Sequence, residues 1–371
     1  MTEEQQKTIR SEIDKVTPKV LYDYLNKNVI GQDRAKKTLS VAVYNHFKRF
    51  TDNLFGFSKD IENNPYKDVE IEKSNILLLG NSGTGKTMML RMLAKYLNIP
   101  FYLADMTSVT ESGFVGDDVE NVVLGALRDC DFDLNAVQFA IIGLDEIDKI
   151  SRKGESTSIT RDVGGEGVQQ SLLKIVEGTK VSVPPNGGRK HPEQQCIEVD
   201  TSNILFVGLG AFDGIEKIIE RRKNHKSVGF NSLTEDENTE SLMSDVTAED
   251  LRKFGLIPEL IGRFPVITST NPLTENDLFK ILTEPDNSVI KQYQKIMWLD
   301  NIDLVFEKEA LREIAHIAST QKTGARALRG IIDNVLTEIM FEYGGYQKKK
   351  KIVKITKEDI QHFENKNKLA A

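Results

Sequence analysis

Residues 80–87 read GNSGTGKT, between an apolar run, NILLLG (75–80), and a stretch with helical spacing, KTMMLRMLAKYL. No other pattern in the chain constrains its fold as tightly. The spacing G-x-x-x-x-G-K-[ST] works only where a buried strand delivers a loop to the start of a helix. There the glycines let backbone N–H groups wrap phosphate oxygens, and the helix N-terminus adds partial positive charge. The lysine pairs with β and γ oxygens, and the threonine can ligate Mg²⁺. Gly80, Asn81, Ser82, Gly83, Thr84, Gly85, Lys86, Thr87 and Met88 are therefore candidate contacts to a nucleotide such as ATP. A chance glycine-rich turn is the alternative, and the strand-loop-helix setting weighs against it.

Three further apolar runs, PFYLAD (100–105), QFAIIGLDE (138–146) and NILFVGLG (203–210), are separated by helical patterns. Such alternation predicts an α/β domain, a parallel sheet with helices on both faces. AIIGLDEIDKI ends its strand in Asp145 and Glu146, where a Walker B motif sits on the strand neighbouring the P-loop strand. Asp145 would join Thr87 in holding hydrated Mg²⁺, and Glu146 would polarise the attacking water. Without the P-loop, the pair is a solvated acidic strand end. Asp33 is expected to cap a helix over 33–50, and a polar connection follows it. After GRFPVITSTNPL the texture changes: Thr274 and Asp277 open one helix, LREIAHIAS and ALRGIIDNVLTEIMFEY read as two more, and KIVKITKEDIQHF as a short strand and a capped helix. The expected division is a flexible segment 1–15, a large nucleotide-binding domain 16–270 and a small, mostly helical domain 271–371.

The 49 basic against 56 acidic side chains leave a formal charge of -7, which argues against nucleic-acid binding as the main activity. Cys130 and Cys196 stand apart, so neither a disulfide framework nor a zinc site is expected. No run approaches the ~20 apolar residues of a membrane span, and the N-terminal MTEEQQKTIRSEIDKV has no apolar core. A cytoplasmic location is the expectation.

NVIGQDRAKK, GNSGTGKT, GFVGDDVEN, LDEIDKI, ITRDVGGEGVQQSLLKIVEGT, GGRKHP, GLIPELIGRFPV and KTGARALR occur in the order found in the ClpX family of AAA+ protein unfoldases. The resemblance runs from about Val16 to the C-terminus. It implies an AAA+ P-loop NTPase domain with a small α-helical domain, working as a homo-hexamer with ATP and Mg²⁺. Val29 and Ile30 resemble the segment that packs on adenine; alone, they are a core contact before a helix. Arg263 in IGRFP resembles the arginine finger that reaches the neighbouring subunit's nucleotide; alone, it is the arginine of a surface salt bridge. Arg326 in TGARALR is similar to the sensor 2 arginine.

The same resemblance makes Gly113, Phe114, Val115 and Gly116 the first pore loop, with phenylalanine in place of the usual tyrosine. It assigns Arg161 and Val163 to a second pore loop, and Arg189, Lys190 and His191 to a hairpin tip at the channel entrance. Val228, Gly229 and Phe230 resemble the tripeptide that docks on a ClpP-like peptidase. The implied substrates are unfolded or tagged proteins, and no intrinsic protease residues are found. The chain departs from the family in opening on a short charged segment where a four-cysteine zinc domain is usual. Asn28 stands where an aromatic is common, and no polar sensor 1 residue follows NILFVGLG. A remodelling ATPase without a peptidase, and a nucleotide-switched scaffold, are the competing readings.

Overall fold

The computed structural model describes residues 15–56, 63–110, 118–152, 165–185, 196–226, 242–321 and 323–370. They fall into two compact units. One comprises the described residues of 1–22 with Asp33–Gly80 and Lys86–Asn271. The other comprises Asp23–Gln32, Asn81–Gly85 and the described residues of 272–371.

The chain enters through helix α1 (Pro18–Asn26) and the long α2 (Asp33–Phe55). In the first unit there follow β1 (Ile76–Leu79), α3 (Lys86–Leu97), β2 (Phe101–Asp105), α4 (Glu120–Asp129), α5 (Leu134–Val137) and β3 (Ile141–Asp145). A 3₁₀ turn (Ile147–Ile150) leads on to α6 (Glu166–Glu177), β4 (Lys180–Val183), β5 (Ile197–Asp200) and β6 (Leu205–Gly210). Helices α7 (Ile215–Lys226), α8 (Ala248–Phe254) and α9 (Pro258–Gly262) precede the last strand, β7 (Val266–Ser269).

Five strands form one sheet in the order β2-β3-β6-β1-β7, with every pairing parallel. Helices cover it: α2 packs on β1 and β7, α3 on β2 and β3, and α4 on β2. The apolar runs become strands because β1 and β6 are buried along their whole length and need apolar side chains on both faces. β4 and β5 make a separate antiparallel hairpin.

Three expectations change. β3 is not the neighbour of β1, because β6 lies between them and pairs with both. β7 is an addition to the expected strands: its buried half is the polar pair Thr268 and Ser269, so VITS carries no continuous apolar signal. Helix α2 runs past the expected end to Phe55: Phe50 packs against Phe47 and Phe139, and the next residue, Thr51, is buried and donates to the carbonyls of Phe47 and Lys48. Asp33 is the first residue of that helix, and its carboxylate pairs with Lys36 Nζ at 3.0 Å.

The second unit holds α10 (Glu275–Thr283), α11 (Val289–Leu299), β8 (Ile302–Phe306), α12 (Lys308–Thr320), α13 (Arg326–Tyr343), β9 (Lys351–Ile355) and α14 (Lys357–Ala370). A capping box of Thr274 and Asp277 starts α10, as the sequence predicts. β8 and β9 pair in parallel, and Leu278, Leu282, Ile314, Leu328, Ile332 and Leu336 fill the core.

Candidate functional site

The register places Leu79 beside Gly210 and Ser269, and Asp105 beside Asp145. Gly80, Glu146 and Thr270 thus leave the sheet on one edge, the carboxyl edge, where open parallel sheets bind ligands. Gly80 has φ +142°, and a Cβ there would stand 1.9 Å from Thr270 Oγ1, so the loop requires glycine for packing as well as for phosphate access. Lys86, at the start of α3, donates from Nζ to the Gly80 carbonyl. Thr87 is half-buried and Met88 is exposed. Thr84 is buried and donates to the Asn81 carbonyl at 2.9 Å.

Asp145 is half-buried, and its Oδ1 accepts from the Glu146 N–H at 3.1 Å. Glu146 is exposed and left-handed, with φ 56° and ψ 35°. A non-glycine residue pays about 1 kcal/mol or more for that backbone, and such strain collects where a side chain must be aimed. Asp148 lies in the turn just after it, 4% exposed, with no hydrogen-bond partner at Oδ1 among the described residues. Its other oxygen is 3.3 Å from Lys149 Nζ, and this carboxylate holds the Lys149 ammonium above its usual range. A Cβ at Gly210 would come within 2.6 Å of Asp148 Oδ1, so the glycine that ends β6 leaves room for this carboxylate.

In the second unit, three segments separated in sequence come together. Val29 is buried, Ile30 half-buried, and a Cβ on Gly85 would touch Val29 Cγ1 at 4.0 Å. The Gly83 carbonyl accepts from the Ala325 N–H at 3.1 Å, one residue before Arg326. Arg326 is exposed in the first turn of α13.

Arg263 occupies the other edge of the sheet. It caps α9 just before β7, and its Nη2 is 2.7 Å from Glu177 Oε1 at the end of α6. Two buried amides brace this corner. Asn75, 1% exposed, donates from Nδ2 to the carbonyls of Val176 (3.1 Å) and Arg263 (2.9 Å), and its Oδ1 accepts from the Phe206 N–H (3.2 Å). Gln169 of α6, fully buried, donates to the carbonyls of Ile150 (2.9 Å) and Gly255 (3.2 Å) and accepts from the Ile257 N–H (2.8 Å). Neither amide nor Glu177 was singled out in the sequence; the only signal was a polar residue opening or interrupting an apolar pattern.

Gly113, Phe114, Val115, Gly116, Arg161, Val163, Arg189, Lys190, His191, Val228, Gly229 and Phe230 lie outside the described residues. Neither Cys130 nor Cys196 forms a disulfide among the described residues. Among the described residues, no helix is long and apolar enough to cross a membrane, and no group of three or more His, Cys, Asp or Glu is disposed to hold a metal.

A parallel sheet with a glycine-rich loop and an acidic strand end at its carboxyl edge, in a chain that also holds a mostly helical unit, defines an AAA-type nucleotide-binding protein. The family model described as AAA domain (Cdc48 subfamily) matches residues 71–267, and that of the C-terminal, D2-small domain of ClpB protein matches 273–361. An ATP-dependent Clp protease ATP-binding subunit ClpX from Treponema denticola is 49% identical over 356 residues, covering 95% of this chain and 83% of the relative. Subunits of the same name from Borrelia duttonii and Borrelia recurrentis are each 49% identical over 345 residues, covering 93% of this chain and 78% of theirs. The chain belongs to the ClpX family of AAA+ ATPases.

Proposed function

We propose that this chain is an ATP-driven protein unfoldase that works as a cytoplasmic homo-hexameric ring, threads unfolded or tagged proteins through its pore and hands them to a ClpP-like peptidase. Lys86 and the backbone N–H groups of residues 80–87 hold the phosphates, while Val29 and Ile30 pack on the base. Thr87 and Asp145 form the donor set for Mg²⁺. One hydroxyl and one carboxylate suit an ion that keeps several waters and takes its remaining ligands from phosphates. When bound, the ion neutralises charge on the phosphates. Glu146 accepts a proton from the attacking water, Arg263 stabilises the transition state in the adjacent subunit, and Arg326 ties nucleotide state to domain orientation.

The observation that carries this reading is the separation of Arg263 from the P-loop by the length of a strand. β1 has four residues, or ~13 Å at about 3.3 Å per residue, and Arg263 and Gly80 stand at its opposite ends. One side chain does not cover that distance, which supports a trans-acting role in which the phosphate partner of Arg263 belongs to another copy of the chain. A heterologous contact of that kind closes into a ring when its rotation allows.

Gly113, Phe114, Val115 and Gly116 would grip the passing polypeptide, an aromatic surface serving many sequences without hydrogen bonds. Arg161 and Val163 would line the channel, with Arg189, Lys190 and His191 at its entrance. Val228, Gly229 and Phe230 would dock on the peptidase. No zinc, nucleic acid or membrane is needed for this work. The test is ATP-dependent loss of fluorescence from a tagged fluorescent protein, with and without a ClpP-like peptidase. Fluorescence should fall without the peptidase, and peptides should be released once it is added. No loss of fluorescence with ATP would refute the unfoldase.

A further inference from the structure

We propose that Glu177 is the positioning residue for Arg263, aiming its guanidinium across the subunit boundary. This inference rests on the trans-acting role given to Arg263 above. Glu177 Oε1 stands 2.7 Å from Arg263 Nη2, and a guanidinium fork carries further donors with which to meet a phosphate. Both partners are accessible, at 52% and 37% of their side-chain surface, so the contact adds little to stability and a great deal to direction.

The main chain beneath the pair is fixed far more firmly than the pair itself. Asn75 binds the carbonyls of Arg263 and of Val176, the residue before Glu177, and thereby clamps the two backbones to each other and to β6. Further along α6, Gln169 holds the turn that follows Glu146, through Ile150, and the entry to α9, through Ile257. One helix therefore connects the turn after the proposed water-activating carboxylate with the arginine offered to the next subunit. Two buried amides, each donating twice and accepting once, set the backbone, and Glu177 selects the rotamer.

Misaiming a catalytic group by about 1 Å can cost on the order of 100-fold. Glu177→Ala should lower kcat for ATP about tenfold, leaving KM within twofold and Tm and ring assembly unchanged, since the arginine remains but samples several directions. Glu177→Gln, which keeps an acceptor oxygen, should recover at least half of the rate. Mixed rings test direction of action. Glu177→Ala subunits retain Glu146, whereas Glu146→Gln subunits retain a well-aimed Arg263, so the mixture should turn over faster than the mean of the two separate preparations. Arg263→Ala mixed with Glu146→Gln is the control. If the control pair does not complement, the trans-acting reading of Arg263 falls and this inference with it. If the control complements, the positioning role alone is overturned by Glu177→Ala turning over at the wild-type rate, losing its fold, or failing to complement.

Discussion

The acidic strand end at the carboxyl edge and the Asn75 corner at the amino edge are built on opposite principles. At the carboxyl edge, Asp145 and Lys86 bond to nearby backbone, Glu146 is strained and exposed, and Asp148 has a buried oxygen without a partner among the described residues. At the amino edge, Asn75 uses both donors and its acceptor on three separate elements. An unmade interaction is a cost that folding bears where a ligand is to be met, while a fully made one sets geometry. The difference teaches that the acidic strand end is left open, as the proposed nucleotide site requires, and that the corner carrying Arg263 is braced.

The contrast breaks first if Glu146→Gln harms the fold. That change should cut ATP turnover about 10²- to 10⁴-fold and leave Tm in place, measured by phosphate release and thermal unfolding. Asn75→Ala should do the reverse at the opposite edge. It leaves two carbonyls and one N–H buried without partners, and urea unfolding should reveal a loss of roughly 3 kcal/mol or more. A loss below about 1 kcal/mol would mean that the amino edge is not rigid in the sense argued here.

His46 gives a smaller effect that depends on pH. It is buried at that same edge, beside Arg49, which donates to the Ser202 carbonyl, and Lys73, which donates to the Thr201 carbonyl. Burial first, and then the two cations, push its pKa down to about 3 from 6.5. The folded protein holds the ring neutral while the unfolded chain takes up a proton below pH 6.5, so this contribution to stability is intact above pH 6.5 and is lost as pH falls towards 3. The slope is about 1.4 kcal/mol per pH unit between those two values, present in wild type and absent from His46→Leu, so the difference between the two unfolding curves isolates it. Smallest of all, Glu177→Ala should change unfolding free energy by less than about 1 kcal/mol, because the pair is half-exposed. A larger change would turn Glu177 into part of the scaffold.

Much of the carboxyl edge was legible in the sequence. The P-loop is eight contiguous residues, and Asp145 and Glu146 are adjacent. Their meaning depends on a strand before and, for the loop, a helix after, and both are local patterns. The amphipathic helices of the second unit and the Thr274 cap were legible for the same reason. The middle of the sheet was not. NILFVGLG reads as a buried strand, but nothing within it says that it inserts between β1 and β3, because pairing order depends on crossovers among distant segments. Nothing in LDEIDKI sets Asp148 apart, and its burial beside the space left by Gly210 distinguishes it.

The sequence alone determined the phosphate-binding loop, the acidic strand end, the alternation that yields a parallel sheet and the family, since each is a short-range arrangement of residue types. Tertiary structure decided which edge each residue serves. Asn75 and Arg263 are 188 positions apart, and Asn75 and Val176 are 101 apart. Those bonds arise only once β1, β6 and α6 have packed, and a buried amide must then find partners wherever the fold has brought them.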